Sequence, residues 1–222
     1  NILYRIELYT RKWGINMIQF LSNCHDSKTV TLAEENNFGF KDIRITLEKK
    51  ISKNVINLKK KQNISFRVAT LSDYKFLKSI IENSYLDSRY YFDYYFSVQK
   101  TKNFYYGWLK KGIQGKFDDI CYIICHKKIP IGFCTCRINY KNSKTTGSIG
   151  LFGISQKFRD KGYSKLLLSY VEEQLLILKK KKISVVTQGR NYVAIRTYNN
   201  FGFSIKKTEL WYHKWIESNL KK

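Results

Sequence analysis

The sequence predicts an α/β (α+β) fold in which a mixed β-sheet carries helices on both faces. Three observations lead to this prediction. After residue 63, strand-like and helix-like segments follow one another in the order β-α-α-β-β-β-α-β-α-β, an alternation typical of a sheet covered by helices. The helix-like segments keep a 3.6-residue apolar period, whereas the strand-like segments alternate or are continuously apolar. With 222 residues, 43% of them hydrophobic, the chain can bury a sizeable core.

The first 50 residues predict a small N-terminal companion unit. NILYRIEL reads as a strand already under way, so the start of the chain is expected to be trimmed or incomplete. A helix is expected near Thr31 to Asn36, followed by the strand KDIRITLEKKI. The lysine-rich stretch that comes next predicts a linker over residues 51–63, and the main domain then occupies residues 64–222.

The main domain begins with the strand ISFRVAT, after which Ser72 and Asp73 can cap a helix that runs to about Tyr85. An aromatic-rich loop follows, and its portion FYYGWLKKGI has helical spacing. Three strands, two of them joined by a short turn, are then expected at Cys121–Cys125, Ile131–Asn139 and Gly147–Ser155.

Helices and strands alternate in the second half of the main domain. The loop QKFRDKG opens an amphipathic helix, and KISVVTQG follows as a buried strand. Asn191 can cap the next helix, NYVAIRTYNN, which Gly202 ends. FSIKKTELWYHKW alternates as the last strand, and as an exposed edge it could pair across a homodimer.

The net charge of +24 invites a nucleic-acid interpretation. We favour a solvated basic surface, because the lysine runs at 59–61 and 179–182 fall at element boundaries and form no stripe with interleaved aromatics. We therefore expect no specific nucleic-acid partner, although a basic surface favours anionic ligands. The apolar runs are too short for a membrane span and no signal peptide opens the sequence, so a cytoplasmic protein is expected.

Four of the five cysteines lie in two strand-like runs, CYIIC and CTC, at Cys121, Cys125, Cys134 and Cys136. A hairpin could bring the two pairs together as a four-sulfur zinc site. However, such sites usually use C-x2-C knuckles on turns, and the sequence has none. Reduced, packed cysteines are therefore favoured, and no metal is expected.

The segment RDKGYS, at residues 159–164, carries the sharpest chemical signal. It lies between a strand and an amphipathic helix, so its glycine allows close approach of a ligand and the helix start offers N–H groups and a positive dipole end. Lys157, Arg159, Lys161 and Lys165 add positive charge. The loop suits a pyrophosphate, but a basic turn that only begins a core helix explains it equally well on its own.

The wider context of this loop resembles the GCN5-related N-acetyltransferases (GNAT). The resemblance runs from GSIGLFGIS through RDKGYS and KISVVTQG to the last helix and the corner NNFGF. Arg159, Gly162 and Ser164 match the family's phosphate-binding pattern R/Q-x-x-G-x-G/A, except that Ser164 replaces the usual Gly or Ala. The resemblance implies the GNAT fold, with a mixed, mostly antiparallel central sheet, and acetyl-CoA in a V-shaped split between two strands.

The resemblance also implies roles for individual residues. The pantetheine arm would pair with the strand near Phe152 to Ile154, and a backbone N–H of that bulged strand would stabilise the oxyanion. Tyr198 lies seven residues after Asn191, on the same side of their helix. Tyr198 would be the general acid and Asn191 would contact the pantetheine, although pattern alone favours a core aromatic at position 198. The expected cofactor-binding residues are Phe152, Gly153, Ile154, Arg159, Lys161, Gly162, Tyr163, Ser164 and Asn191.

A narrower resemblance concerns the acceptor. The segments SRY, FYYGWLKKGIQGKFDD and VTQGRNYVAIRTYNNFG are similar to bacterial dTDP-fucosamine acetyltransferases. Those enzymes acetylate the amino group of dTDP-4-amino-4,6-dideoxygalactose in surface polysaccharide synthesis, which implies a nucleotide-linked amino sugar as partner. Arg89 could pair with its diphosphate and the following rings could stack on it, although each ring alone fits a core role better. The expected acceptor-binding residues are Arg89, Tyr90, Phe92, Tyr94 and Tyr95.

Two other functions stay open from the sequence. The same fold could acetylate a protein N-terminus, a polyamine or an antibiotic amine, but the SRY and FYYGW segments match the sugar enzymes instead. A non-catalytic basic binding module is the alternative from another class, and salt-dependent DNA binding without acetyl-CoA affinity would reveal it.

The pentapeptide NNFGF occurs twice, at residues 36–40 and 199–203. Chance is one explanation, since Phe-Gly-Phe is a common corner. Five identical residues, each time leading from a helix-like into a strand-like segment, favour two related halves. The first copy has Glu35 where the second has Tyr198, and no R-x-x-G-x-S loop accompanies it. The N-terminal unit is therefore interpreted as a GNAT-like half that serves as a structural partner.

Overall fold

One eight-stranded sheet organises the computed structural model of the chain, which describes residues 2–52, 63–138 and 144–216. The strands are β1 Met17–Asn23, β2 Gly39–Lys50, β3 Ile64–Val68, β4 Ile120–His126, β5 Ile129–Arg137, β6 Thr146–Ile154, β7 Lys182–Gln188 and β8 Ser204–Trp215. The helices are α1 Ile2–Lys12, α2 Ser27–Glu35, α3 Tyr74–Glu82, α4 Arg89–Phe92, α5 Val98–Ile113, α6 Tyr163–Ile177 and α7 Tyr192–Asn200. Short 3₁₀ turns precede α3 and α6.

The strand order is β1-β8-β2-β7-β6-β5-β4-β3. Every neighbouring pair is antiparallel except β6 and β7, which are parallel. The prediction of a mixed, mostly antiparallel sheet is therefore confirmed. After residue 63 the order of the elements is the predicted one, with the short helix α4 added in the aromatic-rich segment.

Helices cover both faces of this sheet, as the alternation of elements predicted. In β4, Cys121 and Ile123 belong to a core with α3 and α5, whereas Tyr122 and Ile124 belong to a second core with α6 and α7. Successive side chains of a strand point to opposite faces, so the continuously apolar run CYIIC serves both cores at once.

The cysteine runs follow the same division between faces. Cys121 and Cys125 pack in the core with α3 and α5, whereas Cys134 and Cys136 pack in the other. The hairpin places Cys134 opposite Tyr122 and Cys121 opposite Thr135, so it does not bring the four sulfur atoms together. The structure describes all five cysteines as free thiols.

The strand prediction for NILYRIEL is wrong, because α1 is a helix over Ile2–Lys12. Its apolar residues fit both periods: they alternate in part, but Ile2, Ile6 and Tyr9 also recur at helical spacing. Leu3 packs against a small core formed by Ala33, Phe38 and Tyr212, and this contact is compatible with a helical turn.

The start of α3 also differs from the prediction in detail. Asp73 is the N-cap residue of α3, as predicted, but its side chain makes no cap hydrogen bond to that helix. Thr70, rather than Ser72, caps the 3₁₀ turn that leads into α3, where it forms a capping box with Asp73. The Asp73 carboxylate accepts hydrogen bonds from the Thr70 backbone N–H at 2.9 Å and from its hydroxyl at 3.2 Å. The predicted cap of α7 is confirmed, because Asn191 Oδ1 accepts a hydrogen bond from the Ala194 N–H at 3.0 Å.

The N-terminal strands are part of the common sheet. β1-α2-β2 and β7-α7-β8 interlock, because β8 lies between β1 and β2 while β2 lies between β8 and β7. The division into a companion unit over residues 1–50 and a main domain over 64–222 stays a prediction, and most of the expected linker lies outside the described residues. The expectation that WYHKW forms an exposed edge is wrong, since β8 pairs on both sides.

Candidate functional site

A cleft opens where β6 and β7 part. The two parallel strands pair only from Thr146 opposite Lys182 to Ile149 opposite Val185, although β6 continues to Ile154 and β7 to Gln188. Beyond the last pair the strands diverge, and a cavity of about 650 Å³ lies between them. The diverging half of β6 therefore presents backbone groups to a ligand site instead of to a neighbouring strand.

A β-bulge shapes this half of β6. Cys134 of β5 lies opposite Phe152 and Cys136 lies opposite Ile149, so Gly150 and Leu151 together oppose the single residue Thr135. A bulge of this kind bends its strand and re-aims the groups that follow it. Here the backbone N–H and C=O of Phe152, directly after the bulge, point into the cleft.

The hydroxyl of Tyr85 forms hydrogen bonds with both of these backbone groups. It donates to the Phe152 C=O at 2.9 Å and accepts from the Phe152 N–H at 2.9 Å, while the Tyr85 ring stacks on Tyr105. Tyr85 also has a left-handed backbone with φ of 62°, an unfavourable conformation for an aromatic residue. An extended ligand that pairs with Phe152 would therefore have to displace this hydroxyl.

The predicted phosphate loop lies at one end of the cleft. Gly162 precedes the first residue of α6 with φ of 80°, a left-handed conformation that a side chain would strain. Arg159 and Ser164 line the cleft, as Asp160 does. The guanidinium of Arg159 donates to the Ile154 C=O at 3.2 Å and to the Asn83 C=O at 3.3 Å, so it links the end of β6 to the end of α3.

Of the other predicted cofactor-binding residues, four line the cleft and three do not. Phe152, Gly153, Ile154 and Asn191 line the cleft. Lys161, Gly162 and Tyr163 belong to the same loop, but their atoms are not among those that line it. Lys161 instead donates to the Lys157 C=O at 2.9 Å. Their roles in binding stay predictions.

Tyr198 and Asn191 both line the cleft from α7, two turns apart. Tyr198 is 4% exposed and its ring packs against Phe152 and Phe203 at centroid distances of 6.1 and 5.5 Å. In the described part of the chain, its hydroxyl has no hydrogen-bond partner. The residue therefore combines a core position for the ring with a hydroxyl that is available in the cleft.

Burial is the main cause of the shifted pKa of the Tyr198 hydroxyl. Desolvation raises the pKa of Tyr198 far above its usual range, and the thiols of Cys134 and Cys136 raise it further. Tyr85 is affected in the same direction, with Tyr198 among the causes of its raised pKa. Both phenols are consequently protonated throughout the physiological pH range and can act as hydrogen-bond donors.

The opposite end of the cleft is cationic and aromatic. We call it the arginine chamber, after the side chains of Arg44, Arg89 and Arg137 that line it. Arg44 is paired with Glu209, and Arg137 Nε donates to Asp118 Oδ1 at 2.8 Å. The rings that line the chamber are Tyr90, Phe104, Trp108 and Trp211.

Arg89 differs from the other two arginines. Its guanidinium lies between the rings of Tyr90 and Trp211, 4.2 Å from each centroid, and contacts Gln19 Oε1 at 3.3 Å. No carboxylate of the described residues forms a salt bridge with it, and its Nε is buried without a hydrogen-bond partner. Burial lowers the pKa of Arg89, which nevertheless stays charged. It is therefore the uncompensated cation of the chamber.

Three of the five predicted acceptor residues lie elsewhere. Phe92 is 62% exposed under the guanidinium of Arg190, and Tyr94 is 80% exposed. Tyr95 stacks on Trp215. The aromatic run leaves the cleft after Tyr90 because Asp93 is buried and ties it to β8, accepting from His213 Nδ1 at 2.6 Å and Trp215 Nε1 at 3.0 Å. None of these three rings is among the residues that line the cleft, and their role in acceptor binding stays a prediction.

Sequence reasoning missed several residues that line the cleft. Arg44 and Trp211 come from β2 and β8, strands far from the motifs, and nothing local marks either residue. Trp108 was identified only through its helical spacing, and Arg137 lies at the end of a strand. Tyr85 was the expected end of a helix. Only the pairing of distant strands brings these side chains together.

Comparisons with known proteins agree with this geometry. Residues 83–203, more than half of the chain, match the model of the acetyltransferase (GNAT) family. No curated protein matches the chain. The matched range begins at Asn83 beside the cleft and ends at Phe203, so it includes the bulge, the phosphate loop and α7.

Solved structures share the fold at low identity. A GCN5-related N-acetyltransferase of Sphaerobacter thermophilus has a TM-score of 0.66 and 14% identity, covering 90% of this chain and 59% of that one. A functionally unknown conserved protein of Staphylococcus epidermidis has a TM-score of 0.66 and 16% identity, with 96% and 79% covered. A tandem GNAT protein of the clavulanic acid biosynthesis pathway has a TM-score of 0.60 and 9% identity, with 93% and 66% covered.

At these identities the structural likeness supports the fold alone, and the chain spans 59% of the length of the Sphaerobacter protein. Family membership follows from the match of residues 83–203 to the family model. The matched range contains the diverging strands β6 and β7, the bulge of β6 and Gly162, which precedes α6. The matched family is one of acetyltransferases, and its fold generally uses acetyl-CoA. The chain belongs to the acetyltransferase (GNAT) family.

Proposed function

We propose that the protein transfers the acetyl group of acetyl-CoA to the amino group of a nucleotide-linked amino-deoxy sugar such as dTDP-4-amino-4,6-dideoxygalactose. The observation that carries this proposal is the arginine chamber. It combines an uncompensated guanidinium, Arg89, with four aromatic rings. Guanidinium groups suit phosphates and aromatic rings suit bases and sugars, so this lining fits an anionic acceptor with planar and pyranose parts.

The charge of the chamber also separates this acceptor from the alternatives. Polyamines and aminoglycosides are polycations, and the guanidinium of Arg89, which forms no salt bridge with a described carboxylate, would repel them. Arg44 and Arg137 add little to this repulsion, because Glu209 and Asp118 pair with them and offset their charges. A cationic acceptor is therefore disfavoured.

The residues of the cleft fit a direct transfer from thioester to amine. The backbone N–H of Phe152 is the group placed to stabilise the oxyanion, once the Tyr85 hydroxyl gives way. Tyr198 is the proposed general acid for the departing thiolate. Its pKa is raised by burial, but a thiolate in the same cleft is desolvated too, which raises the pKa of the thiol and keeps proton transfer feasible.

The test is an acceptor panel monitored by release of free thiol from acetyl-CoA. The panel contains dTDP- and UDP-linked amino-deoxy sugars, the same amino sugars without nucleotide, spermidine, an aminoglycoside and an N-terminal peptide. We expect turnover with the nucleotide-linked amino sugars and none with the polycations. Faster turnover of spermidine, the aminoglycoside or the peptide would contradict the proposal.

A pair of variants links the activity to the chamber. Arg89→Met removes the guanidinium and should raise KM for the nucleotide-linked acceptor by about 10- to 100-fold, since hydrogen bonds to charged groups contribute about 1.5–3 kcal/mol. Arg196→Met is the matched control, because Arg196 is exposed on α7 and does not line the cleft. An equal response of both variants would separate Arg89 from acceptor binding.

A further inference from the structure

The bulge of β6 is held by two buried side chains. Thr135 and Asp118 are both 0% exposed. The Thr135 hydroxyl accepts a hydrogen bond from the Leu151 N–H at 2.7 Å and donates to Asp118 Oδ2 at 2.5 Å. A bulge leaves backbone groups of its strand outside the regular ladder, and here the threonine hydroxyl satisfies one of them.

The same carboxylate reaches two walls of the arginine chamber. Asp118 Oδ2 also accepts from Trp108 Nε1 at 2.7 Å, and Asp118 Oδ1 accepts from Arg137 Nε at 2.8 Å. Trp108 belongs to α5 and Arg137 to β5, and both line the chamber. One carboxylate therefore fixes the bulge, a cation and an aromatic ring relative to one another.

Close packing leaves this arrangement little freedom. A Cβ added to Gly150 would lie 2.3 Å from Asp118 Oδ2 and 2.8 Å from Thr135 Oγ1, so the bulged residue has room only for a hydrogen. A Cβ added to Gly112 of α5 would lie 3.0 Å from the methyl group of Thr135. The backbone of β6 and the helix above it both press against the Thr135–Asp118 pair.

We propose that Thr135 and Asp118 are positioning residues that set the bulge of β6 and thereby aim the Phe152 N–H at the acyl carbonyl. The inference rests on the proposed function, because it assigns a purpose to the same cleft. An oxyanion donor is effective only when it is held in place before the reaction, and small displacements of reacting groups are costly. The link to Arg137 and Trp108 aligns the acceptor wall with the carbonyl.

The test compares Thr135→Val, which keeps the shape but removes the hydroxyl, with Thr135→Ser, which keeps the hydroxyl. Thr101→Val is the matched control, since Thr101 is 3% exposed on α5 and its hydroxyl has no hydrogen-bond partner among the described residues. The probe is acetyl-CoA with a ¹³C thioester carbonyl, observed by infrared difference spectroscopy. This readout needs no acceptor and reports the hydrogen bond to the carbonyl.

We expect the carbonyl stretching frequency of bound acetyl-CoA to be lowered equally in the wild-type protein, Thr135→Ser and Thr101→Val. In Thr135→Val it should return toward the value in water. With an acceptor, kcat of Thr135→Val should fall about 10- to 100-fold, somewhat less than the roughly 10²–10³ for complete loss of an oxyanion donor. The Kd for acetyl-CoA should stay within about threefold, because positioning affects the transition state more than binding. Thr135→Ser should restore most of kcat.

Unchanged carbonyl frequency and kcat in Thr135→Val, or equal losses in Thr135→Ser and Thr135→Val, would overturn the inference. If Thr135→Val does not fold, Asp118→Asn is measured in its place, because it keeps the size of the side chain but weakens the bond to Thr135. Only the acceptor-free carbonyl frequency is compared for this variant, with the same expectation as for Thr135→Val, since Asp118 also holds Arg137 and Trp108. Failure of the wild-type protein to bind acetyl-CoA would instead contradict the proposed function, so the two failures are distinguishable.

Discussion

The two NNFGF corners have the same sequence but not the same backbone. In the second corner, Gly202 takes the left-handed position with φ of 93°, and Phe203 N–H donates to Tyr198 C=O at 3.0 Å. In the first, Asn37 takes that position with φ of 60°, and Phe38 N–H donates to Ala33 C=O at 2.9 Å. Both are Schellman motifs, but the helix of the first copy ends two residues earlier in the pentapeptide.

This shift changes which residues correspond. The sequence aligns Tyr198 with Glu35, whereas the hydrogen bonds make Ala33 its structural counterpart. Ala33 is buried with Phe38 and Tyr212 in a small core, and none of these three residues lines the cleft between β6 and β7. The interpretation of one corner repeated in two half-folds therefore needs this correction: the helix-to-strand geometry is repeated, but the pentapeptide occupies it in two registers.

The comparison of the two units shows which structural feature sets the second one apart. β1-α2-β2 and β7-α7-β8 occupy equivalent places in the order β1-β8-β2-β7, so the central strands β8 and β2 are exchanged between the units. Among the described strands of these two units, β7 alone has a parallel neighbour, β6, from which it diverges. The cleft, rather than the corner, distinguishes the second unit.

The largest expected effect is a loss of turnover when the residue before the second corner is changed, but not when the aligned residue before the first corner is changed. Tyr198→Phe should lower kcat by about 100-fold or more, because general acid catalysis contributes roughly 10²–10⁴. The Kd for acetyl-CoA should stay within about twofold, since the ring and its packing are kept. Glu35→Gln, at the sequence-aligned and exposed position of the first copy, is the control and should keep full turnover. Thiol release and calorimetry provide both numbers; undiminished turnover in Tyr198→Phe would remove the phenol from the mechanism.

A smaller effect, on the free energy of unfolding, tests whether the pentapeptide occupies the two corners in different registers. Gly202→Ala should lower the free energy of unfolding by about 1–2 kcal/mol, because a left-handed backbone strains any side chain. Gly39→Ala, at the aligned glycine of the first copy, should cost less, since the structure does not give Gly39 a positive φ. Urea denaturation measures both variants. Equal losses at Gly202 and Gly39 would mean that the two corners share one register.

The smallest effect concerns β8, the strand of the second unit that pairs with both strands of the first. Burial lowers the pKa of His213 on β8, with Lys41 and Arg89 acting in the same direction and Asp93 opposing them. A lowered folded pKa means that the unfolded chain binds the proton first, so stability should fall as the pH drops below about 6.5. The slope cannot exceed about 1.4 kcal/mol per pH unit for one group.

His213→Gln is the variant for this pH dependence, measured by urea denaturation between pH 7.5 and 5. Its slope should be flatter than that of the wild-type protein. The carboxylate of Asp93 does not interfere, because its own pKa is below the usual value and it therefore titrates at lower pH. An identical slope in both proteins would show that His213 is not the group responsible.

The sequence by itself determined the order of the elements, the mixed sheet with helices on both faces and the loop before α6, because periodicity, caps and glycines act locally. It also placed Tyr198 and Asn191 on one side of α7. It failed at α1, where a short apolar run fits two periods, and at β8, whose two neighbours come from distant parts of the chain.

Only the tertiary structure decided which side chains meet in the cleft. Arg44, Trp211 and Arg137 lie on three different strands, and Tyr85 reaches Phe152 across 67 positions of the chain. Strand pairing between remote segments sets these contacts, and it depends on how the cores bury their apolar faces rather than on any local pattern. The aromatic run after Tyr90 shows the same limit, because a single buried carboxylate, Asp93, turns it away from the cleft.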